Sequence, residues 1–283
     1  MNLRELYLNC KTKLENAGVD TPEIEARLIL IQTLKLSRED IVFKGETEVG
    51  DDGFHCVEGT VAQRLLGVPL SKIFGEKEFW SLLFKVTKDT LDPRPDSETL
   101  IEAILDYKKS KNEQMRILDI GTGTGCLVIS ALSEYPNAMG VAIDISDRAL
   151  AVAKENRDAH GMEDRLQLLN IGWSELPHDE CYDVVISNPP YIDEADKPDL
   201  QTEVVDHDPH IALFADGNGL DAYREIAKFL KEILKPETGI GVFEIGFNQA
   251  ADVSEIFRKN DLEVLEVRKD LSGHDRCVIV KTA

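Results

Sequence analysis

The feature that most constrains the fold is an apolar strand that runs directly into a loop with glycine at every second position. The predicted strand spans residues 117–120, and the loop that follows it, Gly121 to Gly125, reads Gly-Thr-Gly-Thr-Gly. Alternating glycines let the main chain approach a ligand closely, where side chains would block it. A helical pattern comes next, so the segment predicts a strand, a tight turn and a helix that together accept a nucleotide-like ligand.

The alternation of strand and helix continues through the rest of the chain. Short apolar runs that read as strands are separated by amphipathic helical stretches, which predicts a parallel sheet with helices on both faces. The last two strands are joined by a polar turn at residues 270–275, which predicts an antiparallel hairpin at a sheet edge. The predicted strands span residues 117–120, 141–143, 166–169, 184–187, 240–244, 262–267 and 277–281.

The first part of the chain reads as helices up to about residue 67. Thr21 followed by Pro22 is typical of a helix start, because proline suits the first helical position. Apolar residues recur every three to four positions, which predicts helices with one apolar side. These residues are Leu3, Leu6, Tyr7, Cys10 and Leu14, and then Ile24, Leu28 and Ile31.

A change of pattern between the two parts predicts a linker. From Pro69 to Val86 short β-like runs indicate a hairpin, with residues 75–78 as its turn and Phe79 opening its second arm. The prolines that follow keep their segment out of a helix interior, and a helix is predicted over residues 97–109. The expected domains are therefore a helical domain at 1–68, a hairpin linker at 69–90 and the α/β domain at 91–283.

The charge balance narrows the class of partner. The net charge is -21, and the 11 basic and 14 acidic residues up to Val86 leave 21 basic and 39 acidic residues for the remainder. Proteins that bind duplex DNA neutralise its phosphates with Lys and Arg, so the excess of acidic over basic residues argues against extended nucleic-acid contact. A protein or small-molecule substrate is favoured, and no stable nucleic-acid partner is expected.

Composition also bears on the compartment. No apolar run approaches the roughly 18 residues that cross a bilayer, and charges interrupt the amino terminus where a secretory signal would be apolar. The five cysteines are scattered, and the six histidines lack metal-ligand spacing. We expect a cytoplasmic protein with reduced cysteines, no membrane association and no metal.

The glycine loop does not match the two common phosphate-binding patterns. Cys126 stands where the dinucleotide fingerprint needs glycine, and the Gly-Lys-Ser/Thr of the P-loop is absent. Asp144 ends the next predicted strand, 23 residues after Gly121. Its carboxylate is placed to accept hydrogen bonds from two ribose hydroxyls. A tight surface turn is the alternative interpretation of the glycines taken alone.

A second motif, Asn188-Pro189-Pro190-Tyr191, follows the predicted strand at 184–187. It therefore lies at the carboxyl edge of the sheet, where open α/β folds bind ligands. An amide nitrogen is a poor nucleophile because its lone pair is delocalised, so an enzyme must orient it. The side-chain oxygen of Asn188 and the main-chain oxygen of Pro189 would each accept one amide hydrogen, and the Tyr191 ring offers a face to a planar group.

Asn-Pro-Pro-Tyr is shared by amino-methyltransferases that act on amides and on exocyclic base nitrogens. Three further segments narrow the choice, and together with it they resemble the release-factor glutamine methyltransferases, the PrmC (HemK) family. The segments are Gly75 to Trp80, Pro93 to Glu98, and Asp208 to Leu220. The resemblance implies a seven-stranded, doubly wound, Rossmann-like methyltransferase sheet behind a small N-terminal helical domain. It also implies S-adenosylmethionine as cofactor and, as substrate, the glutamine of the Gly-Gly-Gln motif of class 1 release factors.

The resemblance also implies roles for particular residues. Asp144 would bind the ribose, Trp173 would lie near the adenine unless it is a plain core aromatic, and Asn188 to Tyr191 would hold the glutamine. The loop residues that would line the cofactor, together with Asn188, are Gly121, Thr122, Gly123, Thr124 and Gly125.

Residues outside the two main motifs are harder to interpret. Phe79 and Trp80 are expected to pack the two domains together, and Arg94 is either a site residue or a surface charge. The sequence departs from the family pattern at Asp92 and His274, neither of which belongs to the proposed site.

Two other functions remain open at this point. An adenine amino-methyltransferase acting on nucleic acid would use the same Asn188 and Pro189 contacts and stack a flipped base on Tyr191. A non-catalytic module that binds the cofactor and a partner would keep the fold without turnover. A release factor is the expected protein partner, and the chain is expected to act as a monomer.

Overall fold

The computed structural model describes residues 1–200 and 202–283. The chain divides into two compact units, Met1–Gly75 and Glu76–Ala283. The smaller unit is helical, as predicted, and the larger unit contains all of the described strands.

The smaller unit packs its helices around a core of its own. Helix α1 begins with a capping box, in which the Asn2 side chain accepts the Glu5 N–H at 2.9 Å and the Glu5 carboxylate accepts the Asn2 N–H. This arrangement satisfies two main-chain donors that a helix start leaves unpaired. The helices are α1 (Leu3–Asn16), α2 (Pro22–Leu34), α3 (Arg38–Phe43), α4 (Asp51–Leu65) and α5 (Leu70–Phe74). The buried core consists of Leu3, Leu6, Cys10, Leu14, Ala26, Ile29, Leu30, Val57 and Val61.

The predicted start of α2 at Pro22 is confirmed, but its predicted apolar side is not the buried one. Ile24 and Leu28 are exposed, whereas Ala26, Ile29 and Leu30 are fully buried. The helix carries apolar residues on both sides, so spacing alone did not identify the side that faces the core.

The hairpin is present, but its predicted turn is wrong. Strands β1 (Glu76–Phe79) and β2 (Leu82–Lys85) pair so that the turn falls at Trp80 and Ser81. Gly75 instead ends α5 with a left-handed φ of 75°, a common role for glycine at a helix end. Trp80 and Ser81 both have positive φ, 51° and 59°, which non-glycine residues seldom adopt and which sequence patterns therefore fail to indicate.

The larger unit is built on a seven-stranded sheet, which confirms the predicted fold class. The strand order is β5-β4-β3-β6-β7-β9-β8, with the first five parallel and β9 antiparallel to both of its neighbours. The predicted edge hairpin is thus the β8–β9 pair. The strands are β3 (Arg116–Ile120), β4 (Met139–Ile143), β5 (Leu166–Leu169), β6 (Val184–Ser187), β7 (Ile240–Glu244), β8 (Leu262–Lys269) and β9 (Asp275–Thr282).

Helices cover both faces of this sheet. One apolar cluster includes residues of α6 and α7, and a second includes residues of α12 and α13. The helix predicted at 97–109 is α6, after a short 3-10 turn at Pro95–Ser97. None of the described helices is long and apolar enough to cross a membrane. The helices are α6 (Glu98–Tyr107), α7 (Cys126–Glu134), α8 (Asp147–Ala159), α9 (Thr202–His207), α10 (His210–Leu213), α11 (Asp216–Gly219), α12 (Asp221–Ile233) and α13 (Ala250–Lys259).

The strand order creates a switch point between β3 and β6. The chain runs outward from β3 to β5 and then returns to place β6 on the other side of β3. Ile120 pairs in register with Ile143 on one side and with Ser187 on the other, so these three strands end at the same level. Loops diverge above such a point and leave a crevice, which is where open α/β sheets bind ligands.

Candidate active site

A cavity of about 310 Å³ lies above the switch point. Loops that follow β3, β4, β5 and β6 contribute to its wall, as do the segment before Asp92 and the start of α10. Its volume is in the range of small-molecule binding sites. Its lining residues are Asp89, Thr90, Leu91, Ile120, Gly121, Gly123, Ile143, Asp144, Ile145, Ser146, Ala149, Ile171, Gly172, Trp173, Ser174, Asn188, Pro190, Pro209, Ile211 and Ala212.

The glycine loop contributes to this cavity through only part of its length. Gly121 and Gly123 line it with positive φ of 74° and 56°, and a Cβ at either position would meet no atom within 4 Å. Gly125 packs away from the cavity, where a Cβ would approach Ile129 to 3.0 Å. The loop therefore exposes main chain to the cavity at two of its three glycines.

The two threonines of the loop point into the protein. Thr122 is buried and donates its hydroxyl to Asp119 at 2.6 Å, and the Thr124 hydroxyl accepts the Cys126 N–H at 3.3 Å. Neither lines the cavity, so Thr122, Thr124 and Gly125 shape the loop from behind.

Asp144 follows β4, lines the first cavity and holds the glycine loop in place. Its two carboxylate oxygens accept the N–H groups of Gly123 and Ser146, each at 2.9 Å. Burial raises the pKa of this carboxyl group, while those two hydrogen bonds lower it. Each oxygen retains a lone pair for a further donor, so the carboxylate can accept hydroxyl groups from a ligand in the cavity.

Asp119 lies behind the glycine loop, where it accepts the Thr122 hydroxyl, and the sequence reasoning did not single it out. It is completely buried in β3, and one of its oxygens has no hydrogen-bond partner. Burial raises its pKa to about 7. A single acid inside an apolar strand was a visible signal, since buried carboxylates are uncommon unless they are paired.

Trp173 follows β5 and lines the cavity, where Ile145 and Ile171 also contribute apolar surface. The Trp173 ring is half-buried and packs against the apolar cluster on one face of the sheet. It is therefore at the same time a cavity residue and a neighbour of the core.

A second cavity of about 270 Å³ adjoins the first, and Asn188 lines both. Within the part of the chain that the structure describes, the Asn188 carboxamide forms no hydrogen bond, and the Pro189 carbonyl oxygen accepts none. Half-buried amide groups usually have partners, so the Asn188 carboxamide is available to a ligand, whereas Pro189 is buried and lines neither cavity. The second cavity is lined by Leu91, Arg94, Pro95, Asp96, Asn188, Tyr191, Ile192, Leu200, Val204, Ala212, Leu213, Glu244 and Arg276.

The other members of the Asn-Pro-Pro-Tyr motif separate between the two cavities. Pro190 lines the first cavity, Tyr191 lines the second, and Pro189 is buried. The motif therefore forms the wall that the two cavities share. Its location follows from β6, because the Ser187 hydroxyl at the strand end donates to the Ile120 carbonyl oxygen at 2.7 Å and ties β6 to β3.

Charged residues line the second cavity, and sequence reasoning identified only one of them. Arg94 donates to the buried Asp208 at 2.6 Å, so it is not a free surface charge. Arg276 contacts Asp96 and Asp270 at 3.4 and 3.1 Å. Glu244 is buried at the end of β7, and nothing in the local sequence marked it as part of a site.

Phe79 and Trp80 were expected to pack the domains together, and both contact the core of the larger unit. Phe79 is buried beside Phe84, and the Trp80 ring N–H donates to Glu134 at 2.8 Å. The two departures from the family pattern, Asp92 and His274, line neither cavity.

Comparisons with known families agree with this geometry. A family described as "Methyltransferase small domain" matches residues 88–218, and one described as "PrmC N-terminal domain" matches residues 5–75. The methyltransferase from Pyrococcus furiosus has a similar structure, with a TM-score of 0.54 and 16% identity over 78% of this chain and 100% of that one. This structural likeness shows the fold alone.

Sequence relatives identify the family more narrowly. A bifunctional methyltransferase from Rickettsia typhi is 35% identical over 98% of this chain, and the chain spans 57% of that protein's length. A release factor glutamine methyltransferase from Rhodospirillum rubrum is 37% identical over 95% of this chain and 82% of its own length. The protein of that name from Caulobacter vibrioides is 36% identical over 99% of this chain and 96% of its own length. Because this similarity extends over nearly the whole of both chains, the protein belongs to the release factor glutamine methyltransferase family.

Proposed function

We propose that this protein methylates the side-chain amide nitrogen (N5) of the glutamine in the Gly-Gly-Gln motif of class 1 peptide chain release factors. One observation carries the proposal. The unengaged carboxamide of Asn188 lies in the wall between a cavity suited to a cofactor and a second cavity that is open to a substrate side chain. An enzyme that transfers a group between two ligands needs two binding cavities that adjoin, because the reacting atoms must come into contact where the cavities meet.

The first cavity fits S-adenosylmethionine, the methyl donor of this family. The space above Gly121 and Gly123 accommodates a ligand against the main chain, and Asp144 accepts hydroxyl groups as a ribose would require. Asp119 lies behind the loop with one oxygen that has no hydrogen-bond partner, and because burial raises its pKa to about 7, a cationic ligand nearby would favour its ionised form. Trp173 offers a ring face to the adenine. When bound, the cofactor supplies a methyl group that a nucleophile can take by in-line displacement.

The residues of the shared wall orient the glutamine. The Asn188 side-chain oxygen and the Pro189 carbonyl oxygen each accept one hydrogen of the amide, which turns the nitrogen lone pair towards the methyl group. Pro189 and Pro190 restrict the main chain, so both acceptors keep their directions. Tyr191 borders the second cavity and contacts the planar amide group.

Proton transfer requires no dedicated base. Among the described residues that line the two cavities there is no His or Lys. Once the carbon–nitrogen bond forms, the nitrogen is acidic enough to release its proton to water or to a main-chain oxygen. Orientation by Asn188 and Pro189 therefore contributes more to rate than acid–base chemistry does.

The proposal extends to the partner and the working unit. The release factor is the protein substrate, and the enzyme acts as a monomer. The helical unit, Met1–Gly75, supplies recognition area beyond the glutamine, since specific interfaces bury roughly 800 Å² per partner. The enzyme acts in the cytoplasm without a nucleic-acid partner.

Mass spectrometry of a release factor incubated with this protein and S-adenosylmethionine tests the proposal directly. We expect one added methyl group, located on the Gly-Gly-Gln glutamine, and methylation at least about a hundredfold slower with the Asn188→Ala variant. Methylation of an adenine-containing oligonucleotide instead would identify a base methyltransferase. Cofactor binding by calorimetry without methylation of either substrate would identify a non-catalytic module.

A further inference from the structure

Glu244 is a buried carboxylate that the proposed mechanism does not use. It ends β7 and is 2% exposed, yet it lines the second cavity together with Asn188 and Tyr191. Its position follows from the register of the sheet, because Ser187 pairs with Phe243 and the next residue on each strand lies at the carboxyl edge. Glu244 and Asn188 are thus neighbours in the site although 56 positions separate them in the chain.

Both oxygens of this carboxylate accept hydrogen bonds from hydroxyl groups. The Ser97 hydroxyl donates to one oxygen at 2.5 Å, and the Tyr191 hydroxyl donates to the other at 3.3 Å. The Ser97 and Tyr191 hydroxyls thus share one carboxylate as their partner. The Glu244 side chain therefore connects the segment before α6 to the Asn-Pro-Pro-Tyr motif.

The main chain of Tyr191 is held separately from its ring. The Gln249 side chain donates to the Tyr191 carbonyl oxygen at 2.9 Å and accepts the Gly246 N–H at 3.0 Å. Gly219 permits a close approach on the same side, since a Cβ there would lie 2.1 Å from that carbonyl oxygen. These contacts fix the backbone of Tyr191, whereas the hydroxyl end of its ring has Glu244 as its partner.

Keeping this carboxylate buried has a cost that a neutral side chain would avoid. Burial raises the pKa of Glu244, and the bonds from Ser97 and Tyr191 and the charge of Arg276 lower it only in part. Among the described residues no Lys or Arg forms an ion pair with it, because Arg276 contacts Asp96 and Asp270 instead. A buried charge without an ion pair disfavours folding, so the residue is better explained by the site than by stability.

We propose that Glu244 is a positioning residue that holds the Tyr191 ring in the wall of the second cavity and thereby sets the orientation of the substrate glutamine. Tyr191 follows directly on the Pro189 and Pro190 segment that carries the amide acceptors. A ring released from Glu244 would enter or leave the second cavity and misplace the glutamine relative to Asn188. This inference rests on the proposed function, and its experiment separates the two.

The experiment compares Glu244→Gln with Asp183→Asn, a matched control. Asp183 is also a buried carboxylate, 4% exposed, but it precedes β6 at the opposite edge of the sheet, where it contacts Lys235 at 2.9 Å and accepts the Arg116 N–H. Glu244→Gln should lower kcat/KM for a release factor by about tenfold, because its amide oxygen can accept the Tyr191 hydroxyl only in a weaker, neutral hydrogen bond. It should leave the Kd for S-adenosylmethionine within about twofold and unfold at no lower temperature than Asp183→Asn. Asp183→Asn should keep the wild-type kcat/KM.

A double-mutant cycle with Tyr191→Phe tests whether Glu244 acts through the tyrosine hydroxyl. We expect the double variant to lose little more kcat/KM than Tyr191→Phe alone, because Tyr191→Phe removes the hydroxyl whose hydrogen bond Glu244→Gln weakens. Tyr191→Phe leaves the carboxylate in place, so the loss of kcat/KM in this variant remains informative if Glu244→Gln folds poorly. Losses that multiply in the double variant, or equal losses in Asp183→Asn, would overturn the positioning role. If the wild-type protein adds no methyl group to the release factor, the proposed function itself fails.

Discussion

The two cavities that meet at Asn188 are built in different ways. The first is formed largely by loops that directly follow neighbouring strands, and its central contacts are main-chain groups, such as the Gly123 N–H held by Asp144. The second is formed by side chains from distant segments, with Ser97, Tyr191 and Glu244 joined by hydroxyl–carboxylate bonds. A cofactor common to many methyltransferases can be held by main chain, whereas discrimination of one substrate requires particular side chains.

This difference predicts where substitutions separate binding from turnover. In the first cavity, loss of the Asp144 carboxylate should weaken cofactor binding, because the glycine loop loses the hydrogen bond that holds it. In the second cavity, loss of a side chain should lower turnover of the substrate and leave the affinity for the cofactor unchanged. Asn188 lines both cavities and is the most direct test of the distinction.

The largest effect is expected for Asn188→Ala. Turnover should fall by at least about a hundredfold, because the substrate amide loses the acceptor that orients it, while cofactor affinity stays within about tenfold. Steady-state kinetics with a release factor and calorimetry with S-adenosylmethionine measure the two quantities. Equal losses in turnover and in cofactor affinity would show that Asn188 acts chiefly on the cofactor.

Asp144→Ala should weaken cofactor binding by about 1.5 to 3 kcal/mol, since the variant loses the ribose contacts together with the brace on the Gly123 N–H. Calorimetry with S-adenosylmethionine checks the value. Asp147→Ala is a suitable control, because Asp147 is exposed three residues further along and lies outside the cavity. An unchanged dissociation constant for Asp144→Ala would remove the ribose assignment.

Asp119 predicts a pH dependence of stability in the ligand-free protein. Its folded pKa is raised to about 7 from 3.8, so between these values the folded state retains a proton that the unfolded state has released. Its contribution to the free energy of unfolding therefore declines as pH rises from about 4 to about 7. Between pH 5 and pH 8 the wild type should lose at least about 1 kcal/mol more stability than Asp119→Asn, as measured by urea unfolding. If the unfolding free energies of the wild type and Asp119→Asn change in parallel with pH, the pKa of Asp119 is not raised in the folded protein.

The smallest effect on cofactor binding is expected from removing the helical unit, Met1–Gly75. Every described residue that lines either cavity belongs to the larger unit, so residues 76–283 alone should bind S-adenosylmethionine within about threefold of the full chain. The KM for the release factor should rise, because recognition area is lost. Circular dichroism verifies that the fragment is folded. A folded fragment that methylates the release factor as efficiently as the full chain would contradict the recognition role of the helices.

Local sequence was sufficient for the fold class and for the elements that carry the site. The parallel strands, the glycine loop, Asp144 and the Asn-Pro-Pro-Tyr motif were predicted because each is a strand end followed by a loop, and consecutive parallel strands end at one edge. The hairpin turn at Trp80 and Ser81 was missed because it uses positive φ at residues that rarely adopt it. The buried side of α2 was missed because both of its sides are apolar.

Sequence patterns were enough to predict which segments form strands, where glycines expose the main chain, and which motif lies at the carboxyl end of β6. The folded chain was needed to show that Ser97, Tyr191 and Glu244 form one network, and that Thr122 and Thr124 point away from the first cavity. The two kinds of feature depend on interactions over different distances along the chain. Strand periodicity and loop chemistry act between residues close in the chain, whereas a buried carboxylate acquires its partners from the pairing order of the sheet, which brings residues about 150 positions apart into contact.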